Sequence, residues 1–158
     1  MPVVTRSILI NAPPEELFAL SQDYGLRRQW DPFVREMRFL DGALEAGLGV
    51  RVWVKAWTGL TMVVGFVSFH PPDSVAMKML RGPFFFKQFA GTWLFKAKDA
   101  RATEVTFRYG FTVRRRWLGV FLNPIIKMLF TRDVKARLEG MKRAVHDGIL
   151  DRLGEPCT

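Results

Sequence analysis

Cysteine is almost missing from this 158-residue chain; the only one is Cys157, beside the C-terminus. One thiol closes no disulfide within the chain and builds no thiolate zinc site. Histidine is scarce as well. His70 lies beside a Pro-Pro turn and His146 late in the last apolar-periodic segment, so no metal-ligand spacing arises and no metal or cofactor is expected. No Gly-rich phosphate loop follows a strand, and there is no Gly-x-Ser-x-Gly elbow. The opening Met1-Pro2-Val3-Val4-Thr5-Arg6 has no basic start leading into an apolar run, so no signal peptide is expected and the chain is read as cytoplasmic. The longest greasy stretch, Trp117 to Phe130, contains Asn123, Pro124 and Lys127 and is too short to span a bilayer. Repeats, low-complexity tracts and Gly/Ser linkers are lacking too. Residues 1–158 are therefore read as one domain, of a size that buries roughly 70% of its unfolded surface.

Phenylalanine and tryptophan are in excess: 14 Phe and 5 Trp against 2 Tyr. They carry large apolar area with few polar groups to satisfy, and either build a dense core or line a cavity. The other excess is positive charge, a net +9. Between Arg114 and Arg143, nine basic residues (114, 115, 116, 127, 132, 135, 137, 142, 143) stand against Asp133 and Glu139, a net of +7. Such a stripe is either a solvated helix face or a surface for an anionic membrane. Nothing matches a groove-reading or base-stacking motif, so nucleic acid is not expected.

Periodicity sets out the elements. Val3 to Ile10 reads as a strand, and Asn11 to Glu16 as a helix start, with proline tolerated in the first turn and two acids at the positive helix end. Leu17, Phe18 and Leu20 give that helix an apolar face. A second short helix from Asp23 to Gln29 ends at Trp30-Asp31-Pro32, where Asp31 reads as a cap or turn residue. Strands follow at Val34–Leu40, Leu48–Ala56, Thr61–Phe69, Val75–Leu80 and Phe84–Ala97, the last with a bulge expected near Gly91. From Val105 to Val113 the two-residue alternation has no exceptions. After Arg116 the spacing turns helical: Leu118, Leu122, Ile125, Leu129, Val134, Leu138, Met141, Val145 and Ile149. Pro124 falls inside that run, and Gly154 and Pro156 are suitable stops. Strands joined by short turns pair antiparallel, and a sheet with one apolar face needs a cover. Only the last helix is long enough. The fold class is therefore α+β, a curved seven-stranded antiparallel sheet around a long C-terminal helix, with two short helices after the first strand.

The segments Ile8–Phe18, Asp23-Tyr24, Trp30–Phe33, Gly47–Val52, Gly91–Phe95 and Thr103–Phe107, in this order and spacing, resemble the helix-grip superfamily. That superfamily includes the birch-pollen allergens, the steroidogenic lipid-transfer (START) domains and the bacterial polyketide cyclase/dehydrase-like (SRPBCC) proteins. The resemblance implies a cavity between sheet and helix. Its wall on this chain would be Val52, Val54, Phe66, Met77, Phe89, Trp93, Phe107, Tyr109 and Phe111. Leu122, Ile126 and Phe130 would add the helix side, and Trp30 and Phe33 would lie near the mouth.

Tyr109 is the one catalytic candidate: its parity sets it between Phe107 and Phe111, where its hydroxyl needs a partner from protein or ligand. Lys87 shares a face with Phe89 and Trp93 if the strand runs without a bulge. Three functions stay open: binding or transport of a hydrophobic small molecule such as a lipid or aromatic metabolite; a polyketide cyclase/aromatase-type reaction; and a membrane-surface module using the Arg114–Arg143 stripe beside Trp117 to Phe121. Trp53 and Trp57 alternate with Arg51 and Lys55, away from the core. The chain is read as a monomer, or as a homodimer through that outer face.

Overall fold

A computed structural model describes residues 1–153. Seven strands hydrogen-bond in the order β1-β7-β6-β5-β4-β3-β2, every neighbouring pair antiparallel. They are β1 (Val3–Ile10), β2 (Val34–Phe39), β3 (Arg51–Ala56), β4 (Thr61–His70), β5 (Ser74–Arg81), β6 (Phe86–Asp99) and β7 (Ala102–Val113). Two short helices, α1 (Pro14–Gln22) and α2 (Tyr24–Trp30), join β1 to β2, and α3 (Arg116–His146) follows β7. The sheet curls into a half-barrel and α3 fills its hollow, which is the helix-grip arrangement.

Local sequence explains the short helices. Pro13 and Pro14 start α1 where no N–H is needed, and Glu15 and Glu16 occupy its first turn. The Asp23 carboxylate accepts from the Leu26 N–H at 3.2 Å and opens α2. In β7 the inward set Val105, Phe107, Tyr109, Phe111 and Val113 is buried, while Arg108 on the other face is exposed. Phe130 of α3 packs its ring within 4.9–6.0 Å of Phe86, Phe89, Tyr109 and Phe111. This aromatic layer is the junction of helix and sheet.

The structure departs from the sequence pattern at four places. The third strand begins at Arg51 rather than Leu48, because Gly49 adopts φ +80° and turns the chain, leaving Leu48 71% exposed. The bulge lies between Phe86 and Gln88 instead of near Gly91, which stays in regular register opposite Tyr109. There it turns Phe86 inward and Lys87 outward, so Lys87 is no pocket residue. Gly91 serves another purpose: a Cβ there would stand 3.4 Å from the Phe107 ring and 3.5 Å from the Tyr109 ring. On α3 the buried stripe runs through Ile126 and Phe130, while Ile125 and Leu129 point to solvent. Finally, α3 stops at His146, and Gly148 at φ +87° turns the chain so that Ile149 begins a separate 3₁₀ turn, Ile149–Arg152. Gly154, Pro156 and Cys157 lie outside the described residues.

One close approach positions everything that follows. Gly140 of α3 faces the Trp30 carbonyl of α2, and a Cβ at 140 would overlap that oxygen. The overlap is with backbone, so relief requires moving a helix. Gly140→Ala is expected to lower stability by about 1–3 kcal/mol, read as a shift of the denaturant midpoint at unchanged slope.

Candidate functional site

Under the aromatic layer lie two small spaces. The inner cavity, about 60 Å³, is lined by Phe33, Val54, Met77, Phe89, Trp93, Phe107 and Tyr109, with Arg27, Met37, Met62, Val64 and Gly91. Arg137 of α3 completes it. The outer cavity, about 130 Å³, lies between α3 (Ile126, Leu129, Phe130, Asp133), the turn after β3 (Trp57, Thr58, Leu60) and Phe85-Phe86. Phe33, Met62 and Phe89 line both and form the partition between them.

The pocket residues expected from the sequence divide accordingly. Phe33, Val54, Met77, Phe89, Trp93, Phe107 and Tyr109 line the inner cavity, and Ile126 and Phe130 line the outer one. Trp30, Val52, Phe66, Phe111 and Leu122 line neither. Trp30 stands edge-on to Trp93 at 5.9 Å, and Phe66 packs against Phe69 at 5.8 Å. Phe111 supports Phe86 and Phe130, Val52 is fully buried, and Leu122 is half-buried against the core. Trp57 leaves the outer face that it was expected to share with Trp53. Its backbone N–H donates to the Phe33 carbonyl at 2.9 Å and its indole to Asp133, at the rim of the outer cavity. Trp53 lies under the Arg38 guanidinium at 4.3 Å.

The polar part of the site is a buried ionic cluster. Asp31 is 1% exposed. Its Oδ2 accepts from Arg27 Nε at 2.7 Å, from Arg137 Nη2 at 2.8 Å and from Arg137 Nε at 3.1 Å. Its Oδ1 accepts from the Phe33 N–H at 3.0 Å, so the turn role read from the sequence is present beneath the ionic one. Arg137 Nη1 donates to the Tyr109 hydroxyl, and Arg27 Nη1 to the Ser21 carbonyl. The Arg137 guanidinium sits 4.5 Å from the Phe107 ring, 4.8 Å from Phe33, 5.5 Å from Trp93 and 5.7 Å from Tyr109. These ring faces help to hold a charge that has left water. Burial alone would raise the Asp31 carboxyl, but Arg137 and Arg27 outweigh it and hold it below the ordinary carboxylate range. Burial pushes the Arg27 guanidinium down and the Tyr109 phenol up to about 12, so Tyr109 is neutral at physiological pH.

Arg27 and Arg137 were not singled out from the sequence. Arg137 lies in the Arg114–Arg143 stripe, yet it is 5% exposed; the other eight basic residues of that stripe are exposed. The signal was present in the spacing. Phe130, Val134, Arg137 and Met141 recur at helical intervals, so Arg137 is a charge on the apolar stripe. Arg27 stands four residues before Asp31, the spacing of a helical ion pair.

A curled antiparallel sheet gripping a helix over an apolar slot defines a START-like, helix-grip domain. The sequence profile described as "Polyketide cyclase / dehydrase and lipid transport" matches residues 1–146, and the chain belongs to that family. Among solved structures, a START superfamily protein from Mycobacterium smegmatis superposes with TM-score 0.75 at 12% identity, over 92% of this chain and 97% of that one. The Zhui aromatase/cyclase from Streptomyces sp. R1128 gives 0.72 at 18% identity, over 96% and 94%. Norcoclaurine synthase from Thalictrum flavum, in complex with dopamine and hydroxybenzaldehyde, gives 0.71 at 11% identity, over 93% and 87%. At these identities the likeness is one of fold. Among curated proteins, none matches the sequence.

Asp31→Asn removes the negative charge that both buried guanidiniums share, and is expected to cost about 3–5 kcal/mol in a denaturant titration. Because its folded-state pKa is depressed, the Asp31 contribution is full above the unfolded carboxylate value of about 3.9 and is lost as pH falls through the lower folded-state value. The acid limb of the stability curve is expected to be shallower in Asp31→Asn than in wild type.

Proposed function

We propose that the protein binds a hydrophobic small molecule that carries one acidic group, with the apolar body in the slot and the acidic end against Arg137. The observation that carries this reading is the charge imbalance of the site. Two buried guanidiniums share one buried carboxylate, inside walls that are otherwise aromatic and aliphatic. A guanidinium has five N–H donors, and the bonds from Arg137 to Asp31 and Tyr109 use three. The nearest other carboxylate at the slot, Asp133, is half-buried at the rim and bonded by Trp57. An anionic ligand supplies the missing countercharge where desolvation makes each charge-assisted bond strong. Neither cavity alone has the roughly 300 Å³ of an ordinary ligand site. Rotation of Phe33, Phe89 and the flexible Met62 joins them into one slot, and methionine tolerates such repacking.

The test is a pair of ligands of equal chain length, a fatty acid and its alcohol, titrated by calorimetry. The acid is expected to bind roughly 10- to 150-fold more tightly, the value of one hydrogen bond to a charged group. Arg137→Met leaves Arg27 and Asp31 as a neutral pair and is expected to fold and to lose that preference. Equal binding of acid and alcohol by wild type overturns the acidic-end reading. No stabilisation by any apolar ligand overturns the binding function itself.

A second reading rests on the Tyr109–Arg137 hydrogen bond. With its oxygen accepting from Arg137, the Tyr109 hydroxyl keeps its own proton to offer to a ligand carbonyl. That arrangement orients and polarises a carbonyl, which suits a cyclase acting on a poly-carbonyl substrate, and the fold likeness to an aromatase/cyclase agrees with it. Tyr109→Phe is expected to lower turnover of such a substrate by about 10²-fold while binding survives; an unchanged rate removes Tyr109 from this role.

A further inference from the structure

The first half of α3 is apolar on two opposite sides. Its inner side, with Leu118, Leu122, Ile126 and Phe130, packs on the core. Its outer side carries Trp117, Val120, Phe121, Ile125 and Met128, each more than half exposed, with Leu129 at the edge. Trp117, Phe121, Ile125 and Met128 follow one another at steps of four, four and three residues, which is one continuous stripe on a helix. Phe84 adds a further exposed ring in the turn before β6. It is 83% exposed, and its carbonyl accepts from Arg114 Nε at 2.9 Å, just before α3 begins. A soluble surface rarely gathers so many large apolar side chains without an occupant.

The charges around the stripe identify the occupant. Arg114, Arg115, Arg116, Lys127 and Arg132 are all exposed, Lys87 projects from the bulge beside Phe86, and no acidic residue occurs from 114 to 132. Beyond Asp133 the helix is different: Val134, Leu138 and Met141 face inward, and Lys135, Glu139, Lys142 and Arg143 face outward in the ordinary amphipathic manner. The greasy outer face is therefore confined to the cationic, acid-free end. Among the described residues no helix is long and apolar enough to cross a membrane. We infer that this end of the molecule docks on the surface of an anionic lipid bilayer, with Trp117, Val120, Phe121, Ile125 and Met128 entering the headgroup boundary and the arginines and lysines held at the phosphates. A second copy of the chain fits the patch less well, since an isologous contact would bring the same arginines together. Leu129 belongs both to the patch and to the lining of the outer cavity, so a docked molecule presents that cavity to the lipid.

The experiment is flotation of the purified protein with vesicles of phosphatidylcholine alone and of phosphatidylcholine mixed with phosphatidylglycerol, at low and high salt. Wild type is expected to float with the mixed vesicles, and about tenfold less with neutral vesicles or at high salt. Two variants separate the contributions: Val120→Ser/Phe121→Ser on the stripe, and Arg115→Glu/Arg116→Glu/Lys127→Glu around it. None of these side chains lines either cavity, so both variants are expected to keep the wild-type melting temperature within a few degrees while losing about tenfold or more of the vesicle binding. No flotation, equal flotation with neutral vesicles, or wild-type binding by folded variants overturns the inference. So does a dimer in sedimentation that Val120→Ser/Phe121→Ser splits while no vesicles are bound. If a variant does not fold, the lipid-charge and salt dependence of wild type decides alone. The slot ligand is read separately by calorimetry without vesicles, so the failure of one proposal is distinguishable from failure of the other.

Discussion

The Asp31 carboxylate ties together α2, α3 and the turn into β2. It belongs to the end of α2, it accepts from Arg27 one turn earlier, and it accepts twice from Arg137 on α3. The turn into β2 hangs on its second oxygen. Ionic groups this deep in an apolar interior contribute little net stability, because desolvation offsets most of their attraction. What they fix is geometry. Arg137 stands among four aromatic rings with Tyr109 attached, and the slot takes its shape around that fixed cation. Gly140, one turn along α3, lets the helices approach closely enough for the ion pair to form.

Much of the architecture was legible in the sequence because it follows periodicity, and periodicity reports burial. The alternation of β7 and the inward positions Leu118, Leu122, Val134, Leu138 and Met141 carry the sheet, the helix and their contact. The helix-grip fold and family membership agree with the resemblance seen in the Trp30–Phe33 and Gly91–Phe95 segments. What escaped the pattern has physical reasons. A strand bulge shifts the phase of everything on one side of it, and nothing in Phe84–Gln88 marks where it falls. The glycines at 49 and 148 change the chain direction through positive φ, which ends periodic segments before their apolar residues run out.

The site was legible in its walls and not in its centre. Phe107 and Tyr109 follow from strand parity and Phe89 and Trp93 from the family resemblance, but the cluster of Arg27, Asp31 and Arg137 breaks the rule that charge marks the outside. A buried ion pair between residues 106 positions apart leaves no local signature beyond a charge on an apolar stripe. The aromatic excess also resolves in an unexpected way. The rings neither pack without gaps nor leave one large chamber; two small spaces lie among them, with Phe33, Met62 and Phe89 on the walls of both.

The order of strands has a mechanical consequence. β1 and β2 are consecutive in sequence, yet they form the two opposite edges of the sheet. A flat sheet of seven strands would hold its edges about 29 Å apart at the usual spacing, and residues 11–33 are all the chain that joins them. Those residues act as a strap drawn across an arch. The strap is fastened near its far end, where Asp31 meets Arg137 at the crown of the helix. The segment that spans the arch therefore carries the carboxylate that holds Arg137 in the slot.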